Sequence, residues 1–331
     1  MREHLVSFSS IPLRLRNSYL AFLAKNGLTD EGDCDFTAML LDDLDNILAC
    51  GSLRGNVLKQ IAVTPSAEGS GYCAQIISAL VAESFERGAA HQFLYTKPMH
   101  RNIFRSMGFY PIVETNDVLM MENRPRGIQT FLKSLPHPSG KVGAVVCNCN
   151  PFTLGHRHLI EQASRSCDAV LVFVLSEDAS FFSAADRFEL VRAGTADLKN
   201  VHVVRSEEYL VSRATFPMYF LKDSIDAQQV RCDLDLLLFG KRIAPALNIS
   251  VRFVGEEPFD PVTNLYNQRM KALLPPLGIE VVEIPRYQDI SASYVRKLLQ
   301  EGRVLDTQTM LPMTTYDYCL CHFGRNAAGQ R

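Results

Sequence analysis

The stretch Gly143-Ala-Val-Val-Cys-Asn-Cys-Asn-Pro-Phe-Thr-Leu-Gly-His156 decides the fold. From Val142 to Cys147 the chain is a continuous apolar run, the pattern of a strand buried on both faces. A short loop containing Pro151 follows, and helical spacing runs from Leu154 to Ser164. The start of such a helix presents unpaired N–H groups and about half a positive charge. Thr153 and His156 lie three residues apart and share one face of its first turn. His158, two residues further on, is expected to point elsewhere. Gly155 lets an anion approach the backbone closely. Imidazole, hydroxyl and backbone donors thus converge on one anion. This suits stabilisation of charge at an α-phosphate while pyrophosphate leaves. A strand–turn–helix with an N-capping Thr and a surface His has the same local pattern, so the surroundings must decide.

Downstream, Ala169 to Leu175, Val201 to Val204, Val251 to Val254 and Val281 to Ile284 read as strands. Helices are predicted over Ala184 to Gly194, with a capping box at Ser183 and Asp186, around Leu265 to Leu274, and over Ser291 to Leu299. Such alternation implies an α/β domain: a parallel sheet with helices on both faces, binding ligands beyond the carboxyl ends of its strands. The last helix opens with Ile290-Ser-Ala-Ser-Tyr-Val-Arg296. Ser291 is its candidate N-cap, and Ser293 and Arg296 are again three apart on one face. Hydroxyls and a guanidinium at a helix start can clamp a second phosphate, although Ser-x-Ser there also serves for capping alone.

The first third has a different pattern. Phe36 to Leu41 and Ile47 to Leu53 form a predicted hairpin around Asp42-Asp43-Leu44-Asp45-Asn46, and Val57 to Val63 is a third strand. A glycine loop, Ser66-Ala-Glu-Gly-Ser-Gly71, leads into a helix from Ala74 to Phe85. Gln92 to Tyr95, Phe109 to Val113 and Asp117 to Met121 read as strands, with Asn102 to Met107 helical. Pro125, Gly127, Pro136, Pro138 and Gly140 mark a linker with a short helix near Ile128 to Leu132. The expected organisation is therefore a first domain at 1–124, a linker at 125–141 and a second domain at 142–331. At 331 residues, two domains agree with roughly 150 residues each. The tail after Tyr316 carries no clear pattern, and Asn326 to Arg331 is expected to fray.

Composition narrows the function classes. The 34 basic and 36 acidic residues nearly cancel, which argues against a general nucleic-acid binder. No apolar run approaches the ~18 residues of a membrane helix. Met1 to Arg16 lacks the apolar core of a secretory signal; Arg2, Arg14 and Arg16 leave an amphipathic targeting reading, against which Glu3 counts. The nine cysteines are scattered, and the C-x-C pairs Cys147/Cys149 and Cys319/Cys321 permit a metal without demanding one. Reduced thiols in a cytoplasmic protein, with no protein-held metal, is the expectation. Cys149 lies inside the phosphate loop, so its modification is expected to inhibit.

The two helix-start motifs resemble those of the T/H-x-G-H nucleotidyltransferase superfamily, whose second signature is I-S-S-T-x-x-R. Ala292 and Ser293 depart mildly from it. Three longer segments narrow the resemblance: Asn148 to His156, Glu208-Tyr-Leu-Val-Ser-Arg-Ala-Thr-Phe-Pro217, and Phe253-Val-Gly-Glu-Glu-Pro258 with Asp260-Pro-Val-Thr263. They resemble the citrate lyase ligase family over nearly the whole chain. That resemblance implies formation of acetyl-adenylate from ATP and acetate. The acetyl group then passes to the thiol of a phosphoribosyl-dephospho-CoA arm on the acyl carrier (gamma) subunit of citrate lyase. Thr153 and His156 would act on the triphosphate, with Asn148, Gly155 and Gly255 also at the nucleotide. Ser291, Ser293 and Arg296 would hold the β- and γ-phosphates, and Mg²⁺ would arrive through the phosphates. Glu256 and Glu257 read equally as a solvated loop. The loop with Gly69 and Gly71 resembles the pyrophosphate loop of GNAT acetyltransferases, with Ser66 where Gln or Arg is usual. It implies either docking of the arm or a scaffold without a ligand. The alternative activities are a nucleotidyltransferase that adenylates a phosphopantetheine-like or nucleotide substrate, and a non-catalytic carrier-binding module.

Overall fold

The computed structural model describes residues 3–176, 180–210, 219 and 227–324. Residues 211–217 of the Glu208–Pro217 segment and the tail at 326–331 lie outside them. Two compact units are present: Met1–Gln129 with Thr215–Leu234, and Thr130–Ala214 with Asp235–Arg331.

The first unit contains β1 (His4–Phe8), α1 (Leu13–Lys25), β2 (Phe36–Leu41), β3 (Ile47–Arg54), β4 (Val57–Val63), α2 (Tyr72–Glu86), β5 (Phe93–Thr96), α3 (Arg101–Ser106), β6 (Tyr110–Glu114) and β7 (Leu119–Glu122). Its sheet runs β1-β2-β3-β4-β5-β7-β6. Only β4 and β5 are parallel neighbours, paired through Val57–Phe93 and Leu58–Leu94. Period-two alternation along β2 feeds both faces. Phe36, Ala38 and Leu40 meet Ile76, Ile77 and Leu80 of α2, while Met39 and Leu41 meet Leu15, Tyr19 and Leu23 of α1. This mixed sheet, with a glycine loop leading from β4 into α2, is an α+β arrangement. Among the first 16 residues, His4–Phe8 is a strand paired with β2, and α1 begins at Leu13.

After α4 (Gly127–Ser134) come β8 (Val142–Cys147), α5 (Leu154–Ser166), β9 (Ala169–Val174), α6 (Ala184–Gly194), β10 (Val201–Arg205), α7 (Ala227–Leu238) and α8 (Ala244–Ala246). They are followed by β11 (Ile249–Gly255), α9 (Pro261–Leu273), β12 (Glu280–Ile284), α10 (Ala292–Gln300) and α11 (Met313–Phe323). The second sheet is parallel throughout, in the order β10-β9-β8-β11-β12. Val145, Val170, Val172 and Val251 bury one face under Ile160, Leu190, Val295 and Tyr316 of α5, α6, α10 and α11. Phe173 faces the other way and meets Phe239 edge-on at 6.5 Å. Helices thus cover both faces. The chain leaves β8 toward β9 and β10, then returns to place β11 on the other side of β8. The carboxyl ends of β8 and β11 therefore flank the crevice where such sheets take ligands.

Candidate active site

The loop from Asn148 to Thr153 alternates between anchoring and presentation. Cys149 and Phe152 are buried in the core, while Asn148 is exposed. Phe152 sits against α6, where Gly194 makes room for it: a Cβ there would lie 2.5 Å from Phe152 Cε1. Arg187, fully buried on α6, ties the loop to its surroundings. Its Nη1 donates to Asn148 O (2.9 Å), Asn148 Oδ1 (2.5 Å) and Leu175 O (2.8 Å), and its Nε donates to Phe182 O (3.2 Å). Asn150 Oδ1 accepts from Phe182 N–H at 3.0 Å.

Thr153 is the N-cap of α5, and its Oγ1 accepts from His156 N–H at 3.4 Å. Reciprocally, Thr153 N–H donates to His156 Nδ1 at 3.1 Å. Thr153 Oγ1 lies 2.9 Å from that same Nδ1. An Nδ1 that accepts leaves the ring proton on Nε2. Burial pushes the His156 imidazole down to about 4, so the ring is neutral at pH 7. His156 is thus a pre-set neutral donor through Nε2–H rather than a cation. Capping by Thr153 contributes about 1 kcal/mol to the helix start.

The second helix start faces the same space. Ser291 caps α10, accepting from Tyr294 N–H at 3.4 Å, and its Oγ lies 2.6 Å from Ser293 Oγ. Arg296, half-buried one turn on, donates through Nη1 to Asn150 O. One guanidinium therefore joins the second helix start to the loop of the first.

Asn148, Thr153, Gly155, His156, Gly255, Ser291, Ser293 and Arg296 all line a single cavity of about 740 Å³. It lies at the strand ends, with Val146 and Cys147 of β8, Val254 of β11 and Ile284 of β12 in its wall. At Gly155, a Cβ would meet only Thr153 Oγ1 at 3.6 Å and Ile290 O at 3.8 Å. The chain itself does not forbid a side chain there. Glu257 is not a free carboxylate. Arg286 donates to its two oxygens at 3.2 and 3.3 Å, and Oε1 also accepts from Phe259 and Asp260 N–H. Asp260 caps α9 through Val262 N–H at 3.0 Å.

Two expectations are corrected here. His158 does not point away: it lines the cavity and stacks on Tyr287, because helix positions 155, 156, 158 and 159 all reach this wall. Cys149 is 1% exposed, and burial, with the Cys147 thiol beside it, raises its pKa well above the ordinary thiol value. It is a packing residue, not a reactive thiol in the loop. Gly69 and Gly71 do not line this cavity; they lie in the first unit, at φ +84° and +83°, with open space where a Cβ would sit. Gly71 is the N-cap of α2 in a left-handed conformation. Arg187, Asn150 and Tyr287 were not singled out from sequence. A signal existed for Arg187, which shares the apolar stripe of α6 with Leu190 and Val191.

The family model of the citrate lyase ligase C-terminal domain matches residues 142–319. The citrate (pro-3S)-lyase ligase of Klebsiella pneumoniae is 40% identical over 311 residues, 90% of this chain and 91% of its own length. The phosphopantetheine adenylyltransferase of Streptococcus gordonii is 26% identical over 166 residues, 49% of this chain and 84% of its own. Among solved structures, an acyl-CoA N-acyltransferase from Pseudomonas aeruginosa matches at 14% identity with a TM-score of 0.32, covering 37% of this chain and 97% of that one. A likeness of 40% that spans nine-tenths of both sequences is not confined to the short phosphate motifs, and by it the chain is an enzyme of the citrate lyase ligase family.

Proposed function

We propose that the cavity binds ATP and activates acetate as acetyl-adenylate, and that the acetyl group then passes to the thiol arm of the citrate lyase acyl carrier subunit. The observation that carries this reading is the Arg296–Asn150 link, which sets two helix starts around one cavity. Their free N–H groups and the Arg296 charge suit a triphosphate. A carboxylate oxygen of acetate attacks the α-phosphorus, the bond to the β-phosphate oxygen breaks, and pyrophosphate leaves. Thr153 and His156 meet the phosphate oxygens where charge builds up, His156 through its neutral Nε2–H. Asn148, Gly155 and Gly255 shape the nucleotide's bed, and Ser291, Ser293 and Arg296 hold the leaving pyrophosphate. Mg²⁺ comes with the phosphates, since Glu257 and Asp260 are occupied by Arg286 and by the cap of α9.

In the second step the carrier thiol attacks the acetyl carbon, loses its proton to solvent, and AMP leaves. The GNAT-like domain, residues 1–124, docks the arm at the Gly69–Gly71 loop; 125–141 links it to the adenylating domain at 142–331. The setting is the cytoplasm, where scattered cysteines stay reduced.

Pyrophosphate–ATP exchange tests the first step. Acetate-dependent exchange, with Mg²⁺ and with or without carrier, is the expected result. In His156→Ala, turnover should fall by about 10²–10³-fold. Exchange supported by a phosphorylated pantetheine and never by acetate would instead assign the adenylyltransferase reaction.

A further inference from the structure

One pair of cavity residues has no part in the phosphate chemistry. The rings of His158 and Tyr287 stack with centroids 4.8 Å apart and planes 23° from parallel. His158 lies on α5, five residues and about 7.5 Å along the axis beyond Thr153. Tyr287 lies on the loop between β12 and α10, four residues before the Ser291 cap. The pair thus bridges the two elements that carry the phosphate-binding helix starts. The loop is shaped to hold Tyr287 there. Gln288 and Asp289 take left-handed φ of 49° and 50°, uncommon for residues with a side chain. Ile290 N–H closes the turn on Tyr287 O at 3.1 Å. Arg286, beside it, is fixed by Glu257 and donates to Ile290 O at 3.4 Å.

We propose that Tyr287, backed by His158, is the surface on which the base of the nucleotide stacks; this rests on reading the cavity as an ATP site. A triphosphate held at the helix starts leaves the nucleoside to the rest of the same cavity, whose wall includes His158 and Tyr287. One face of the Tyr287 ring is covered by His158, and both residues line the cavity. A stacking platform needs such a plane, supported from behind so that it does not rotate away. Every base has a π face, so this surface gives affinity for the nucleoside and not selection among bases.

The test uses Tyr287→Ala, Tyr287→Phe and His158→Ala in the full chain, each checked by circular dichroism for an unchanged melt. Two quantities are read: KM for ATP in acetate-dependent exchange, and inhibition by inorganic tripolyphosphate, which has the phosphates and no base. In Tyr287→Ala, KM for ATP should rise about 5- to 50-fold while tripolyphosphate inhibition stays within about two-fold. Tyr287→Phe should behave as the parent, and His158→Ala should fall between. Parallel loss of ATP and tripolyphosphate affinity would make the pair a brace for the helix starts and overturn the proposal. An unchanged KM in Tyr287→Ala would overturn it equally. A parent that binds neither ATP nor tripolyphosphate would remove the ATP reading itself, and this inference with it.

Discussion

Replacing Arg187 with methionine keeps an unbranched apolar stem and removes the guanidinium with every donor. Four acceptors then lose a partner: Asn148 O, Asn148 Oδ1, Leu175 O and Phe182 O. Asn148 is exposed, so water can replace the first two. The carbonyls of Leu175 and Phe182 lie where α6 closes over the strand ends. Each stranded acceptor there costs about 1–3 kcal/mol. Relief from burying a guanidinium offsets part of this. A net loss of about 2–4 kcal/mol is therefore expected. The chain has no Trp, so urea unfolding is best followed by circular dichroism. Because the loop presents Asn148 and the carbonyl of Asn150, KM for ATP should rise along with the loss of stability. An unfolding free energy within about 0.5 kcal/mol of the parent, with an unchanged KM, would show that Arg187 does not hold the loop.

His156 supplies a pH prediction. Its imidazole titrates at about 4 when folded against about 6.5 when unfolded, so the unfolded chain binds the extra proton between these values. Stability is then complete above pH 6.5 and declines as pH falls toward 4, by on the order of 2–3 kcal/mol; a His156 NMR titration with a midpoint near 6.5 would refute this. Gly155→Ala should fold normally, because the nearest atoms leave ordinary contact distances, yet bind ATP more weakly by calorimetry; equal affinity would deny any close approach of ligand to this backbone. Gly71→Ala should cost about 1 kcal/mol from its left-handed φ, read as a lower urea midpoint, whether or not the loop binds an arm. Cys149→Ala should leave the response to thiol reagents unchanged, since the thiol is buried and protonated; a resistant variant would show that the loop opens.

Local order in the sequence carried much of the second unit. The buried run at Val142–Cys147, the cap at Thr153 and the spacing to His156 specify β8, its loop and α5 without knowledge of neighbours. What the sequence lacked was strand order, because nothing in Val251 to Val254 states that it lies beside β8. The cavity depends on that placement. His158 was misread because i, i+3 reasoning considers one narrow face, whereas a wide cavity draws on a broader arc of the helix. In the first unit, β1 is a largely exposed edge strand of five residues in which only Val6 and Phe8 turn partly inward, too short a pattern to read alone. α1 is legible by contrast: Leu15, Tyr19, Phe22 and Leu23 follow helical spacing and are buried. The tail also had a pattern, with Thr315, Tyr316 and Cys319 forming the buried face of α11.

The bond from Arg296 to Asn150 joins residues 146 positions apart. Contacts of such separation form only after a large loop has closed, an ordering cost that local contacts avoid. During synthesis, α5 and its loop emerge long before α10 exists. A chain stopped between them has the helix donors of α5 but no guanidinium. On the function proposed above, nucleotide affinity is among the last properties the growing polypeptide acquires, and its appearance during timed translation would mark the moment at which the two ends of the second unit meet.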